Sequence, residues 1–418
     1  MWKHRQKINR RSESKVLLLM GAVLVEVPMY YEMSRRKFVS TVGFGSAGLW
    51  LSRSQLSLAS TVPTAPVSVA KCRTYDSEVL PTLARMFDQL GGLGGLVKGK
   101  TVAIKLNLTG GPTQRLGHIP VGNSYWVHPS VVGATVHLLG KAGARRIRLL
   151  ESPWSTAEPL EEFILQANWE PRDFLSAAEG VEFENTNFLG KAKSYSRFRV
   201  PGGGHMYNAY DLNHSYEDCD VFVSLAKLKE HVTAGITLSM KNCFGITPCT
   251  IYGEHAGVDE PSRVPRGGRR MFHDGFRQPS KSALPENDPT SSREGGYRVP
   301  RIVADLVAAR PIHLAIIDGI ESMSGGEGPW IKDRSYVRPG VLIAGTNCVT
   351  TDAVGMAVMG FDPMADRGTP PFEGRDNTLR LAEEHGVGTR DLRRIEVLGT
   401  PIREAQFDFR STWTAQPS

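Results

Sequence analysis

The chain is poor in cysteine, with five in 418 residues, and none of the five stands in a Cys-x-x-Cys pair. The spacing that structural zinc and iron–sulfur clusters need is therefore missing, and an odd, scattered set is no disulfide framework. A bridge between Cys243 and Cys249 stays open, because spacing does not define geometry. Long apolar runs are missing too. The stretches Val16 to Met29 and Phe38 to Leu51 fall short of the ~20 residues that a bilayer span requires, and the first contains Glu26 and Pro28. No stable membrane span is expected in the mature chain. Outside the first 59 residues there is no excess of either charge. The net +7 is accounted for by ten Lys/Arg set against Glu13, Glu26 and Glu32 in that leader, and forty residues of each sign follow it. The basic balance thus describes a leader and gives no support to a nucleic-acid partner. No repeat of solenoid length is present.

The leader itself is specific. Ser34-Arg35-Arg36-Lys37-Phe38 precedes a moderately apolar run, and Ser57 and Ala59 supply the small residues of a cleavage site. The pattern resembles a twin-arginine export signal, cleaved after Ala59, which implies the twin-arginine machinery as a partner and a periplasmic or secreted location. Because Met33 directly precedes the motif, residues 1–32 are expected to lie upstream of the true start. Gly43, Gly45 and Gly48 match G-x-G-x-x-G, but no strand precedes them and they fall inside the apolar part of the signal, so a dinucleotide site is rejected.

Residues 60–72 read as a linker. The region 73–418 then alternates helix and strand periodicity. Helices are expected at 78–90, from Pro129 to about Leu139, and at 158–167, 300–309, 350–359 and 376–385. Strands are expected at 101–108, in the run RIRLLES ending near Glu151, and at 181–185, 196–200, 220–226, 312–318, 340–345 and 394–399. The fold class that follows is α/β: a mostly parallel or mixed sheet with helices on both faces. Residues 250–298 are polar and rich in Gly, Pro and Arg, a long irregular insertion of the kind that serves as a lid. Residues 73–418 are expected to form either one α/β domain or two coupled halves, 73–249 and 299–418, around it.

Along 221, 223, 225, 227, 229 and 231, one face of an extended chain changes from apolar to cationic, ending in Lys227, Lys229 and His231. In open parallel sheets the carboxyl edge of the strands lines a crevice. Lys105 and Asn107, Glu151, and Asp318 stand at the equivalent ends of other strands. Four strands converging in this way point to a binding crevice more strongly than any one of them. Lys241 and Asn242 follow ten residues after His231. The loop Ser324 to Pro329, with Gly326 and Gly328, offers backbone amides to an anion, although plain turn chemistry explains it equally well. His128 lies on a loop before a proline. His255 and His273 lie in the insertion, where either reaches the crevice if the insertion is a lid. Asp352 is expected in the first turn of its own helix, capped by Thr350 or Thr351.

Five ordered stretches, VAIKLNL, HPSVVGATVHLLGKAGARRIRLLES, KLKEHVTAGITLSMKNCFG, IIDGIESMSGGEGP and VLIAGTNCVTTDAVGMAVMGFDP, resemble the prokaryotic family filed as domain of unknown function 362, over roughly Lys100 to Gly388. The resemblance implies no settled activity. Some members carry an appended ferredoxin-like segment; this chain has no such cysteines, so no iron–sulfur cluster is carried over. The recurrent positions correspond here to Lys105, Asn107, His128, Lys227, Lys229, His231, Lys241, Asn242, Asp318, Gly326, Gly328, Pro329 and Asp352.

The expectation is an exported enzyme acting on a phosphate- or carboxylate-bearing small molecule. His231 and Lys229 are the catalytic candidates. Lys105, Asn107, His128, Lys227, Lys241, Asn242, Gly326 and Gly328 are candidates for holding the substrate, and Glu151 and Asp318 for holding a divalent metal. A non-catalytic periplasmic binding protein for an anion or a metal is the alternative.

Overall fold

A computed structural model describes residues 62–154, 156–254, 267–275 and 284–412. The export signal, the apolar run Val16 to Met29 and His255 lie outside the described residues. Eight strands form the main sheet: β1 Val67–Lys71, β2 Thr101–Lys105, β3 Arg146–Glu151, β4 Val181–Asn185, β5 Val221–Lys227, β6 Leu314–Gly319, β7 Val341–Gly345 and β8 Val397–Gly399. Their order is β8-β1-β7-β6-β5-β2-β3-β4. Strands from both sides of the insertion share this sheet, since β5 pairs with β6 in parallel and Lys227 stands opposite Asp318.

From β4 to β6 every neighbouring pair is parallel, while β7 runs antiparallel to both β6 and β1. The linkage between β6 and β7 explains the reversal. It holds only the hairpin of Ser322–Ser324 with Ser335–Val337 and no crossover helix, so the chain returns in the opposite sense. Residues 60–72, read from sequence as a linker, contribute β1 instead. The run VSVAK is buried at four of its five positions, with β-branched Val67 and Val69 among them, and it hydrogen-bonds β7 on one side and β8 on the other.

The sheet is covered on both faces. Val102, Ile104, Val223, Leu225 and Ile316 pack with α1 Val79–Gln89 and α2 Pro129–Lys141. Ala103, Phe222, Ala226, Ala315 and Ile317 face the opposite core, with α4 Gly295–Ala309 and α5 Cys348–Val358; between these helix pairs in the chain lies α3 Ser239–Asn242. Such period-2 partition is what a sheet buried on both sides requires. Among the described residues no helix is long and apolar enough to cross a membrane.

Two local expectations change. The cap of α5 is Asn347, whose side chain accepts from Val349 and Thr350. Asp352 instead reaches across to α3: Oδ1 accepts from Ser239 N at 2.9 Å and Ser239 Oγ at 2.5 Å, and Oδ2 from Met240 N at 2.9 Å. The helix expected from residue 300 starts at Gly295 and holds Pro300 inside it, with Arg298 in its early turns paired to Glu286 at 2.6 Å. All five cysteines are free.

Candidate functional site

A cavity of about 450 Å³ opens at the carboxyl edge of β2 and β3, where Lys105, Asn107, Glu151 and Ser152 meet α3 and the turn after it. Lys105 donates to Glu151 Oε1 at 2.6 Å, to Leu106 O at 2.5 Å and to Asn242 Oδ1 at 3.3 Å. Burial pulls its amine down and Glu151 opposes the shift. The pair fits only because position 245 is glycine: a Cβ there would lie 2.9 Å from Lys105 Nζ and 3.1 Å from Glu151 Oε1. Asn242 is oriented by its own donors, which go to Ser224 Oγ and to the carbonyls of Lys105 and Leu225. Its oxygen thus accepts from Asn107 Nδ2 at 2.9 Å. That leaves Asn107 Oδ1 buried with no partner.

The amine of Lys241, on the same short helix, makes no hydrogen bond among the described residues and stands over the Phe244 ring, 4.3 Å from its centroid. Burial lowers its amine to about 7, with Arg269 and Lys105 adding to the shift and Glu327 opposing it. Arg269 has a left-handed backbone (φ 60°), which is costly for a side chain of this size. Its guanidinium clamps Thr247 O at 2.7 Å and Ser152 O at 2.9 Å, leaving Nη1 without a protein partner among the described residues.

Two imidazoles complete the wall, with opposite tautomers. His231 Nδ1 accepts from Thr233 N at 3.1 Å, so in the neutral ring the proton sits on Nε2. His273 Nδ1 lies 3.1 Å from Arg269 O; a carbonyl only accepts, so Nδ1 donates and Nε2 keeps the lone pair. Both rings stay neutral near pH 7. Burial, with Lys241 second, holds His231 well below the usual value and lowers His273 to about 4. Glu327 receives Val232 N at 3.1 Å and lies 3.8 Å from His231 Nδ1. Trp154 and Trp330, each more than two-fifths exposed, stand at the cavity wall.

Of the residues expected from sequence, the structure brings Lys105, Asn107, Glu151, His231, Lys241 and Asn242 to this cavity. The others lie elsewhere. The extended stripe ends at Lys227, because Leu228 turns away and Lys229–His231 forms a hairpin with Gly235–Thr237. Lys227 is wholly buried and donates to Asp318 Oδ2 at 2.9 Å, Tyr75 Oη at 2.9 Å and Gly122 O at 2.8 Å. Lys229 donates to the carbonyls of Tyr125 at 2.6 Å and Glu327 at 3.0 Å. His128 caps α2 by accepting from Ser130 N and stacks on Tyr75 at 3.6 Å; burial depresses its pKa to about 3. Gly326 and Gly328 do not line the cavity. They shape the loop so that Glu327, between them, does, and a Cβ at Gly326 would meet Ile331 at 2.9 Å.

Glu151 and Asp318 do not converge on a common ion. Glu151 is occupied by Lys105, Leu108 N and Ser152 N, and Asp318 by Lys227, Tyr75, His128 N and Ile320 N. A separate group, His205, Asp305 and His385, has its ligand atoms within 4.8 Å of one another. Asp305 already accepts from His205 N, His385 Nε2, Met206 N, Tyr207 N and Tyr210 Oη, so a structural role accounts for it.

Sequence reasoning missed Arg269, Trp154, Trp330 and Glu327, while His273, expected to reach the crevice if the insertion is a lid, lines the cavity. Glu327 was legible as the one acid in a glycine loop. Arg269 and the tryptophans carried no periodic signal.

Fold and cavity together define an α/β protein with a polar pocket at the carboxyl edge of a mixed sheet. The chain belongs to the family described as domain of unknown function (DUF362), which matches residues 102–357. It is similar to a thylakoid-associated protein of Synechocystis sp., 26% identical over 184 residues, which are 44% of this chain and 50% of that protein; the chain thus spans about half the length of the curated relative it matches. A crystal structure of a protein from Thermotoga maritima is similar at 12% identity and a TM-score of 0.34, covering 76% of this chain and 59% of that one.

Proposed function

We propose that the protein is an enzyme acting on an anionic small molecule, with Lys241 and Arg269 receiving the phosphate or carboxylate and the two imidazoles moving protons. One observation carries this reading: an amine without a hydrogen-bonding partner among the described residues shares a pocket wall with two neutral histidines of opposite tautomer. His231 Nε2–H is the donor and His273 Nε2 the acceptor, which is the division of labour that general acid–base chemistry needs. Lys105 lends little charge to a ligand, since Glu151 neutralises it. The leader adds a proposal about place, export by the twin-arginine route with cleavage after Ala59, tested by N-terminal sequencing of the mature protein.

Thermal melts of the mature chain against phosphorylated and carboxylated metabolites test the site. Ligands that raise the melting temperature of wild type are expected to lose that effect in Lys241→Met. His231→Gln is expected to keep binding and lose turnover. Ligand shifts of equal size in wild type and Lys241→Met would remove the anion assignment, and turnover undiminished in His231→Gln would remove the catalytic one.

A further inference from the structure

We infer that the substrate class of this pocket is an anion bearing a ketone or aldehyde carbonyl, such as a 2-oxo acid, which Lys241 captures as an imine. This deepens the anion-site reading above and rests on it. The argument begins with what each buried lysine does. Lys105, Lys227 and Lys229 direct their N–H groups at oxygens 2.5 to 3.3 Å away, and Lys227 and Lys229 do not line the cavity. Among the described residues the Lys241 amine has the Phe244 face beneath it and no hydrogen-bond acceptor, and the residue lines the cavity. The charges facing it are Glu327 on one side and Arg269 and Lys105 on the other, with His231 and His273 neutral, and the balance leaves a large share of its amine unprotonated near pH 7. A desolvated amine beside other cations is the arrangement by which proteins make lysine a nucleophile.

The remaining wall suits the rest of such a molecule. Arg269 Nη1 is available for the carboxylate. Asn107 and Thr237 line the same cavity, and among the described residues Asn107 Oδ1 and Thr237 Oγ1 are buried without partners. An orphaned carbonyl oxygen is satisfied only by a donor, and a hydroxyl forming at the carbonyl carbon is one. In the step itself the Nζ lone pair forms a bond to the carbonyl carbon while the π pair moves to oxygen. The nitrogen gives one proton to His273 Nε2, which returns it to the oxygen while His231 Nε2–H holds that oxygen by a hydrogen bond, so both rings end neutral. The nitrogen lone pair then expels the hydroxyl, protonated once more, as water. The result is an iminium ion, one water, and one proton consumed from solvent. No oxidant or reductant is needed.

The test treats the mature chain with glyoxylate, pyruvate or 2-oxoglutarate in the presence of sodium cyanoborohydride, followed by peptide mapping and parallel thermal melts. At pH 7 the reduced adduct is expected on Lys241 ahead of every other lysine by roughly tenfold or more, with saturation in the oxo acid. Its yield in wild type should be half-maximal near pH 7, whereas other lysines should still be rising near pH 10. Lys241→Arg should keep the thermal shift and lose the adduct. If an oxo acid raises the melting temperature but Lys241 stays unmodified, the imine falls and the anion site stands. If the label spreads over exposed lysines in proportion to exposure, the imine falls likewise. No thermal shift and no adduct with any of the three overturns both readings.

Discussion

Lys241→Met is expected to make the folded protein more stable at pH 7 while abolishing anion binding. In the fold the Lys241 amine lies at about 7 against an ordinary 10.5, chiefly through burial. One pKa unit corresponds to about 1.36 kcal/mol, so holding the charged form in place costs at most roughly 4–5 kcal/mol relative to the unfolded chain. The side chain is only partly buried and its surroundings relax, and removing the ammonium also forfeits about 0.5–1 kcal/mol of attraction to the Phe244 face. A net gain of about 1–3 kcal/mol at pH 7 is therefore expected. The sign follows from the direction of the shift. A folded-state pKa below the unfolded one means that the contribution is intact above about pH 10.5 and is lost as pH falls through about 7. The gap between variant and wild type should accordingly open between about pH 10 and pH 7, read from urea midpoints at fixed denaturant slope. A variant less stable than wild type at pH 7, or a gap equal at both ends of that range, would refute the reasoning.

Gly245→Ala places a Cβ 2.9 Å from Lys105 Nζ, and displacing the buried ion pair should cost about 1–3 kcal/mol and weaken ligand binding, measured by urea unfolding and titration. Lys227→Met strands the Asp318 carboxylate and should cost about 3–5 kcal/mol, yet leave ligand affinity of the folded fraction unchanged, since Lys227 does not line the cavity. Asp352→Ala orphans the amides of Ser239 and Met240; a loss of about 2–4 kcal/mol is expected, with weaker anion affinity because α3 carries Lys241.

Most of the sheet was legible because burial on both faces writes near-continuous apolar strands, and VAIK, VFVSLA and LAIID are of that kind. β1 was not, because a five-residue run beside Pro63 and Pro66 looks like a linker until its partners are known, and they lie more than 270 residues away. The site was half legible. Polar residues at strand ends marked the crevice correctly at Lys105, Asn107 and Glu151, since parallel topology alone brings those ends together. The stripe of Lys227, Lys229 and His231 failed as one ligand seat, because side-chain alternation holds only while the strand continues, and Leu228 ends it. Arg269 and His273 reach the cavity from the insertion, whose irregular backbone has no period to read.

The three lysines that surround this edge show why burial alone does not mark a functional residue. Lys227 and Lys229 are more buried than Lys241, but each directs its N–H groups at a carboxylate or at carbonyls, and an amine engaged in that way is an internal strut. Lys241 differs in having a ring and a cavity instead of acceptors. The same kind of incompleteness recurs around it: a left-handed arginine, an amide oxygen and a hydroxyl without partners, and two imidazoles whose buried nitrogens are committed on one side only. Packing could satisfy each of these singly. On the proposed reading their concentration on one wall is what a ligand completing them together requires: an anion for the donors, a carbonyl for the amine and a hydroxyl for the buried acceptor.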